Sequence, residues 1–392
     1  MSLRDEALKL HKENGGKIEI KSKVNVKARD DLSLAYTPGV AEPCKEIKND
    51  PSTVYEYTSK KNMVAVITDG SAVLGLGNIG PLAAIPVMEG KSILLKEFAN
   101  IDSIPICLDT QDPEEIIKTV KYLAPSFGGI NLEDISAPRC VTIERRLIDE
   151  LDIPVFHDDQ HGTAIIVSAA LINCCRLTNK KISDLTIVIS GTGAAGSSIA
   201  RMLKKLGVGK IYAYDKNGVV DIKKYDQYDF LIKELLDQHV YDTKEDHNGT
   251  LESLLEGAHM FVGVSVGNLV TKEMIAKMAK DPFVFAMANP VPEITPDLAK
   301  EGGAYVIGTG RSDYPNQINN VLAFPGIFRG ALDCRAKKIN EDMKLAAAYA
   351  IANIIKEEEL TPEYIVPSPF DPRVVNAVSK AVIDAAIKSN VA

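Results

Sequence analysis

The strongest constraint on the fold is a glycine-rich turn, Gly191-Thr192-Gly193-Ala194-Ala195-Gly196, that joins a predicted strand to a predicted helix. The strand is the β-branched run 185–190, and the helix covers 197–206. A second predicted strand, 210–214, follows and ends in Asp215. Glycines at these positions permit a tight turn and let the backbone approach a pyrophosphate, and the acid can accept hydrogen bonds from a ribose. The pattern predicts a dinucleotide-binding domain; a glycine-rich turn in another α/β fold is the alternative.

The same motif indicates which residues would hold the cofactor and which cofactor is preferred. Asp215 would repel a 2′-phosphate and accept from a 2′-hydroxyl, which favours NAD. Lys216 follows directly and could hold a phosphate, so use of NADP stays open. We expect the cofactor contacts at Gly191, Gly193, Ala194, Ala195, Gly196, Asp215 and Lys216.

Strands and helices alternate along the rest of the chain, which is typical of a parallel α/β fold. The strand-like runs are 64–68, 92–95, 104–108, 129–132 and 154–156 before the glycine turn, and 260–264, 283–287 and 304–307 after it. Three helices follow, at 326–337, 342–357 and 372–388. We predict an N-terminal α/β substrate and metal domain (1–160), a Rossmann-type parallel-sheet domain (161–320) and C-terminal helices (321–392) that pack back on the first domain or the cleft.

Composition argues against several classes of partner. The chain of 392 residues carries a net charge of −8, whereas nucleic-acid binders carry basic stripes. No apolar run reaches the roughly 18 residues needed to span a bilayer. The first residues are too acidic for a signal or transit peptide. The six cysteines form no C-x-x-C pair, which is typical of reduced thiols. We therefore expect a cytoplasmic protein that binds neither nucleic acid nor membrane.

Two adjacent acids, Asp158 and Asp159, lie between an apolar strand (153–156) and an apolar helix (163–175). Neighbouring carboxylates repel each other, so a turn that keeps both usually offers them a cation or a proton-transfer task. Helix capping is the alternative, because an acid in the first turn meets the positive end of the helix dipole. Capping explains one acid well but does not explain both.

A second acid pair, Glu133 and Asp134, follows the predicted strand 129–132. Together with Asp158 or Asp159 it would give three carboxylates, an all-oxygen site suited to Mg²⁺ or Mn²⁺. Zinc is a minor alternative that rests on the neighbouring histidines, His157 and His161, which lack a cysteine partner. The sequence thus favours a hard divalent cation near the end of the first domain.

Several motifs occur in a fixed order between residues 32 and 328. They are Tyr36-Thr37-Pro38-Gly39-Val40-Ala41, Thr68-Asp69-Gly70 with Leu74-Gly75-Leu76-Gly77, Ile85-Pro86-Val87 through Lys91, Leu132-Glu133-Asp134, 156–164, Ala288-Asn289-Pro290, and Asn319-Asn320-Val321 with Phe324-Pro325-Gly326. Together they resemble the malic enzyme family in its short prokaryotic form. The resemblance implies metal-dependent oxidative decarboxylation of (S)-malate to pyruvate and CO₂ with reduction of NAD(P), and decarboxylation of oxaloacetate as a further activity.

The resemblance also implies roles for individual residues. Glu133, Asp134 and Asp159 look like the metal ligands. Lys91 looks like the base that takes the malate hydroxyl proton, helped by a pKa lowered beside the metal. Tyr36 looks like the acid that protonates C3 of the enol. On the residues alone, this lysine would pass for a surface group and this tyrosine for a packed ring.

Three further positions are implied by the same resemblance. Asp158 looks like a partner that orients Lys91 or a ligand. Asn289 and Asn320 look like amide donors to the substrate and to the nicotinamide. Asn289 also fits independently, because a loop after the carboxyl end of a strand faces the crevice of an α/β sheet.

One departure from the family pattern concerns the substrate carboxylate. Larger members carry an acid and an arginine after Thr-Asp-Gly, and the arginine holds that carboxylate; this chain has Ser71 and Ala72. The carboxylate would then rest on the metal, Asn320 and Ser71, or on a basic group of a partner subunit. We expect a homodimer, because the N-terminal helix and the Tyr36 loop lack obvious packing partners within the chain.

Two other functions are compatible with a dinucleotide fingerprint. One is a 2-hydroxy-acid dehydrogenase without decarboxylation, which would not need a site of three carboxylates. The other is a non-catalytic dinucleotide sensor, which would not need Lys91, Tyr36 and three metal ligands together.

Overall fold

The computed structural model describes residues 2–73 and 75–392; Leu74, in one of the family motifs, lies outside the described residues. The strands of this part of the chain form two sheets. The strands are β1 (Met63–Thr68), β2 (Asp102–Cys107), β3 (Gly129–Leu132), β4 (Val155–His157), β5 (Thr186–Ser190), β6 (Lys210–Asp215), β7 (Gly218–Val219), β8 (Met260–Gly263), β9 (Phe283–Ala286) and β10 (Val306–Thr309).

Helices separate the strands, apart from the adjoining β6 and β7, and cover the faces of both sheets. They are α1 (Leu3–Asn14), α2 (Arg29–Ala35), α3 (Ala41–Asn49), α4 (Val54–Tyr57), α5 (Gly80–Ala99), α6 (Pro113–Leu123), α7 (Arg139–Glu150), α8 (Asp158–Thr178), α9 (Ala194–Lys205), α10 (Phe230–Asp237), α11 (Leu251–Leu255), α12 (Lys272–Ala276), α13 (Pro296–Glu301), α14 (Phe324–Asp333), α15 (Glu341–Ala352) and α16 (Arg373–Lys388).

The first sheet has four parallel strands in the order β2-β1-β3-β4. β1 and β3 lie at its centre, and β3 is buried along its whole length. A continuous apolar run is expected for a parallel strand with helices on both faces. Because all strands point the same way, the residues that follow β3 and β4 meet at one edge of the sheet.

The second sheet has six strands in the order β10-β9-β8-β5-β6-β7, and only the β6–β7 pair is antiparallel. The chain leaves β5 toward β6 on one side and returns to β8 on the other. Ligands of open α/β sheets bind in the crevice at such a switch point, beyond the carboxyl ends of the strands. The α/β fold with a Rossmann-type second sheet, expected from the sequence, is therefore confirmed.

Helix α8 connects the two sheets. Fifteen of its residues are buried, and the amide of Asn173 donates to the carbonyl oxygens of Ala352 (3.0 Å) and Ile365 (2.9 Å). By length and composition alone α8 could cross a membrane, although 72% of its most apolar window is buried inside the molecule. The expectation that no apolar run reaches about 18 residues is compatible with this helix, because polar residues such as Ser168 and Asn173 interrupt its apolar run.

The last helices pack back on the first sheet, as the sequence predicted. The Phe328 ring of α14 meets the Phe156 ring edge-on, with centroids 5.9 Å apart. Arg329 Nη1 of the same helix donates to Asn62 Oδ1 at 2.7 Å. α16 in turn packs on α14 and α15. The C-terminal helices therefore form part of the core beneath the acids of the first sheet.

One predicted strand is wrong. Residues 92–95 do not form a strand but lie inside α5. The buried positions of that helix, Ala84, Met88, Ser92, Leu95 and Ala99, follow the three- and four-residue spacing of a helix face. The short run Ser92-Ile93-Leu94-Leu95 has three apolar residues and fits a strand or a buried helix equally well. The structure forms a helix here, because the buried positions repeat with the helical period along the whole of α5.

The N-terminal segment differs from the rest of the molecule, because no residue from 2 to 59 is buried. Lys17 and Lys23 attach it to the first domain: the backbone N–H of Lys17 donates to Glu89, and Lys23 pairs with Asp102. Several large apolar side chains nevertheless stay exposed, including Leu3 (84%), Ile20 (91%) and Leu34 (78%). Such a row of exposed apolar residues is unusual for the surface of a monomer.

Candidate active site

Three carboxylates meet at the carboxyl edge of the first sheet. Glu133 and Asp134 directly follow β3, and Asp159 lies in the first turn of α8, directly after β4. One oxygen from each lies within 4.8 Å of the others. Asp159 Oδ2 also accepts from the backbone N–H of Asp134 at 2.8 Å, which ties the two chain segments together. The structure therefore brings together the three acids that the sequence singled out as metal ligands.

Lys91, on α5, lies against the same acids. Its Nζ is 3.1 Å from Glu133 Oε1 and donates to Asp158 Oδ2 at 2.5 Å. The side chain is 12% exposed, and the Nζ stands 4.9 Å from the centre of the Phe324 ring. This lysine is thus not the surface group that its neighbours in the sequence would suit.

The charges of this cluster shift one another's pKa values. Burial acts to lower the pKa of Lys91, but attraction to Asp158 and Glu133 outweighs burial and raises it. Burial raises the pKa of Glu133, Lys91 opposes that rise, and the nearby Asp159 adds to it. Burial likewise raises the pKa of Asp158, against the pull of Lys91. The crowded carboxylates therefore have more negative charge than one lysine balances.

The raised pKa of Lys91 is opposite to the direction expected from the sequence. That expectation included the charge of a bound metal ion. The physical reason for the difference is that the carboxylates of Asp158 and Glu133 attract the ammonium directly. A divalent cation shared by the same carboxylates would oppose this attraction.

A buried carboxylate that sequence reasoning missed fixes the first turn of α8. Glu144 of α7 is 3% exposed and accepts from the backbone N–H of His157 (2.8 Å), Gln160 Nε2 (3.1 Å) and His161 Nε2 (2.9 Å). Burial opposes ionisation, but His161 and its hydrogen bond lower the pKa of Glu144 to about 2. The sequence did contain an indication of this role, because Glu144 is an acid on the apolar face of α7, where Ile143 and Leu147 are also buried.

Of the two histidines of the motif, the His161 ring belongs to this network, whereas the His157 ring lies behind the carboxylate cluster and joins the network only through its backbone N–H. His161 also lies 3.2 Å from Ser198 Oγ of α9 and 3.1 Å from the Nζ of Lys344 on α15. The His157 ring is fully buried, with its Nδ1 3.8 Å from Asp159 Oδ2. A metal site of oxygen ligands, with histidines behind it, fits this arrangement better than a zinc site.

The glycine-rich turn lies at the carboxyl edge of the second sheet, between β5 and α9. Gly191 has a φ of 106°, and a Cβ on Gly196 would come within 1.8 Å of the Gly191 carbonyl oxygen. The turn therefore requires both glycines. Gly193, Ala194 and Ala195 complete it, with Gly193 preceding the first residue of α9.

A cavity of about 650 Å³ opens beside this turn. Gly191 and Asp215 line it, together with Lys216, Asn217 and Tyr228. Asp215 ends β6, and one of its oxygens accepts from the backbone N–H of Asn217 at 2.7 Å. The predicted ribose residues thus border one cavity, at the switch point of the sheet.

The remaining predicted residues occupy different settings. The backbone oxygen of Asn289 packs so closely on Gly75 that a Cβ there would lie 2.2 Å from it, so Asn289 sits between the two sheets. Asn320 begins a short 3₁₀ helix and packs on Gly162 beside Asp158. Within the described residues, neither side-chain amide makes a hydrogen bond, so both remain able to bind a ligand.

Ser71 and Tyr36 do not join the cluster in the way the sequence suggested. The Ser71 hydroxyl donates to Asp69 Oδ1 (2.5 Å) and accepts from the backbone N–H of Ser136 (2.9 Å), so it has no proton left for a substrate carboxylate. Tyr36 ends α2 and is 66% exposed. Among the described residues, none forms a hydrogen bond with its hydroxyl.

Both groups that the sequence implies fit these residues. Three carboxylates at close range, two of them buried, form the donor set that Mg²⁺ and Mn²⁺ prefer, and the repulsion among them favours a cation. The turn and its cavity provide the close backbone approach and the space that a dinucleotide requires.

Comparison with known proteins agrees with this geometry. Residues 15–148 match the N-terminal domain of malic enzyme, and residues 160–389 match the NAD-binding domain of malic enzyme. The chain belongs to the malic enzyme family. The family resemblance inferred from the sequence motifs is thereby confirmed.

Individual relatives cover the whole chain or nearly all of it. The bifunctional malic/malolactic enzyme of Bacillus subtilis is 56% identical over 393 residues, which are 100% of this chain and 95% of that protein. The NADP-dependent malic enzyme of Escherichia coli is 48% identical over 100% of this chain and 53% of that protein. The crystal structure of NAD-dependent malic enzyme from Thermotoga maritima is 50% identical, with a TM-score of 0.92 over 96% of this chain and 98% of that chain.

Proposed function

We propose that this protein oxidises and decarboxylates (S)-malate to pyruvate and CO₂ with reduction of NAD(P), at a site assembled from both sheets. The observation that carries the proposal is the cluster of Lys91 and Asp158 with the three acids Glu133, Asp134 and Asp159. A dehydrogenase without decarboxylation has no need for three converging carboxylates, and a dinucleotide sensor has no need for the buried lysine.

The protein groups have separate tasks in this reaction. Lys91 Nζ takes the proton of the malate hydroxyl; a bound NAD(P) would supply the acceptor for the hydride of C2. Asp158 holds Lys91 in place through the 2.5 Å hydrogen bond. The bond from C3 to its carboxyl group then breaks, CO₂ leaves, and Tyr36 donates a proton to C3 to give pyruvate. Asn289 and Asn320 orient the substrate and the nicotinamide through their amides.

A divalent cation, Mg²⁺ or Mn²⁺, would be held by Glu133, Asp134 and Asp159 and would supply Lewis-acid stabilisation of charge on the substrate oxygens. Lys91 must lose its proton to act as a base, and its attraction to Asp158 and Glu133 opposes that loss. We therefore propose that Lys91 reaches its basic form only with the metal in place. Decarboxylation of added oxaloacetate, which needs no base for oxidation, is a second activity of the same site.

We propose NAD as the preferred cofactor, with NADP also used. The support is Asp215, a carboxylate at the border of the cavity that disfavours a 2′-phosphate. Lys216 and Asn217 border the same cavity, and they provide the donors through which NADP can still bind. We also propose a cytoplasmic location, supported by six cysteines that are all free thiols.

A homodimer accounts for the exposed N-terminal segment. A partner subunit that covers residues 3–57 would bury apolar side chains such as Leu3, Ile20 and Leu34. It would also explain how Tyr36, exposed here, acts on a substrate: the tyrosine of one subunit would complete the site of the other.

Subunit mixing tests this arrangement. We expect Lys91→Ala and Tyr36→Phe each to have little activity alone. If Tyr36 acts across the interface, a mixed dimer contains one site with both changes and one intact site, so mixing restores up to about a quarter of the activity. The control mixes two separate preparations of Lys91→Ala. Every site then lacks Lys91, so no activity should return. No recovery in an exchanged mixture would show that Tyr36 acts within its own chain or has no role.

The reaction itself is tested by steady-state kinetics with malate against NAD and NADP, with Mn²⁺ and with a chelator. We expect NAD(P)H and pyruvate to form only with the divalent cation, and kcat/KM to be higher with NAD. Equal turnover in chelator would contradict the metal-dependent mechanism.

A further inference from the structure

Arg139, the first residue of α7, occupies a position between the two sites. Its Nη2 donates to Asp69 Oδ2 at 2.6 Å. Asp69 directly follows β1, which neighbours β3, the strand that leads to Glu133. The guanidinium is therefore attached to the same sheet edge as the metal-binding acids.

The rest of the loop holds this ion pair in a fixed place. Asp69 is fully buried, and its other oxygen accepts from the backbone N–H (3.0 Å) and the hydroxyl (2.5 Å) of Ser71. The Ser71 oxygen in turn accepts from the backbone N–H of Ser136, three residues before Arg139. The guanidinium is thus oriented by a buried carboxylate rather than free to move in solvent.

Arg139 keeps donors that no described residue uses. A guanidinium has five N–H donors, and here Asp69 is its only acceptor among the described residues. Its Nε is buried and has no hydrogen-bond partner, while the side chain as a whole is 25% exposed. A buried donor without a partner costs free energy unless a ligand satisfies it.

The surroundings of Arg139 indicate what that ligand is. Ala137 lies 4.0 Å from the position of a Cβ on Gly193, so this segment borders the turn that would hold the pyrophosphate. On the other side, the backbone N–H of Ala72 donates to the Asp134 carbonyl at 2.9 Å. Both reactants of the proposed reaction carry anionic oxygens that would lie near this cation.

We propose that Arg139 binds an anionic oxygen group of a reactant, either the carboxylate of malate or the pyrophosphate of the cofactor. The planar fork of arginine suits paired anionic oxygens of both kinds. This inference rests on the proposed function. Arg139 would also provide a cation near the site, where Ala72 provides none and Ser71 has no proton to donate.

The competing explanation is that Arg139 only neutralises the buried Asp69. The two explanations differ when both charges are removed. The double variant Arg139→Gln with Asp69→Asn leaves no unpaired buried charge. If Arg139 only neutralises Asp69, the double variant should bind malate and NADH as the unmodified protein does. If Arg139 binds an anion, the double variant should still bind one of them more weakly.

The test compares Arg139→Gln, the double variant and the control Arg145→Gln, which changes an exposed arginine of the same helix. We would measure the KM for malate at saturating cofactor and, without malate, the Kd of NADH by fluorescence titration. Loss of a charge-assisted hydrogen bond predicts a rise of roughly 10- to 100-fold in one of these constants, in the single and the double variant alike.

The two constants identify the ligand. A higher KM for malate with unchanged NADH binding assigns the carboxylate, and weaker NADH binding assigns the pyrophosphate. Unchanged constants in the double variant would overturn the inference, even if Arg139→Gln alone fails to fold. Failure of the unmodified protein to turn over malate would instead overturn the proposed function, and the NADH titration would still test Arg139.

Discussion

At the carboxyl edge of the first sheet, Glu133 and Asp158 are buried and bonded to Lys91. At the carboxyl edge of the second sheet, Gly191 and Asp215 border an open cavity of about 650 Å³. The first edge concentrates charge among side chains that are mostly buried, which strengthens the electrostatic interactions there. The second edge provides a backbone that a ligand can approach closely and a cavity that can hold a dinucleotide. The comparison indicates that chemistry is assigned to one edge and cofactor binding to the other, so substitutions at the two edges should have separable effects.

The largest effect is expected at the metal ligands. Asp159→Asn removes one charged ligand of three, and we expect it to abolish metal-supported malate turnover while leaving the Kd of NADH unchanged. Asp152→Asn, an exposed acid nearby in the sequence, is the matched control. Activity like that of the unmodified protein at low Mn²⁺ would place the metal elsewhere, and weakened NADH binding would show that the two edges are not separable.

The next effect concerns the base. Lys91→Ala should lower malate oxidation roughly 10²- to 10⁴-fold, the usual size of a general-base contribution, with the NADH Kd again unchanged. Lys96→Ala changes an exposed lysine of the same helix and should leave turnover nearly intact. A drop of less than about threefold in the Lys91 variant would remove the lysine from the mechanism.

A third prediction concerns stability at the first edge. The pKa of Glu144 is lowered to about 2 from an ordinary 4.5, so its ionised form contributes stability that is complete above about pH 4.5 and is lost as the pH falls toward 2. Glu144→Gln should lower the free energy of unfolding at pH 7 by about 1.5–3 kcal/mol, the usual contribution of a hydrogen bond to a charged group.

The same variant should show a weaker dependence of stability on pH between 4.5 and 2, measured by denaturant unfolding across that range. Asp149→Asn, an exposed acid of the same helix, is the control and should change the profile little. An acid profile identical to that of the unmodified protein would mean that Glu144 does not contribute in this way.

The smallest effect is expected at the second edge. Asp215→Ala removes the charge that disfavours a 2′-phosphate and should shift the ratio of kcat/KM for NADP over NAD severalfold toward NADP. Asp226→Ala changes a nearby exposed acid outside the cavity lining and serves as the control. A strong preference for NADP in the unmodified protein would show that Lys216 or Asn217 governs cofactor choice.

The positions of the acids and of the glycine turn could be predicted from the sequence, because the sequence indicates where strands end. Glu133, Asp134 and Asp159 each lie at or just past the end of a parallel strand, and such ends share one edge. The glycine turn was readable for the same reason. The run 92–95 was not, since three apolar residues after a serine carry no period that separates a strand from a buried helix.

The network around Glu144 and the ion pair of Arg139 could not be predicted from the sequence. Glu144 meets His157 and His161 only because α7 packs across β4, and Arg139 meets Asp69 across a separation of 70 residues along the chain. Such pairings depend on tertiary packing, which local patterns do not record. The exposed position of Tyr36 was partly anticipated, because its loop showed no packing partner in the sequence.

The central claim, that the two edges jointly oxidise and decarboxylate one substrate, is tested most directly with malate labelled in the carboxyl group attached to C3. With Mn²⁺ and NAD, the account predicts labelled CO₂, pyruvate and NADH in equal amounts, all lost on chelation. Formation of NADH without labelled CO₂ would show that the protein is a dehydrogenase that does not decarboxylate its substrate. Labelled CO₂ with lactate and no net NADH would equally contradict the account.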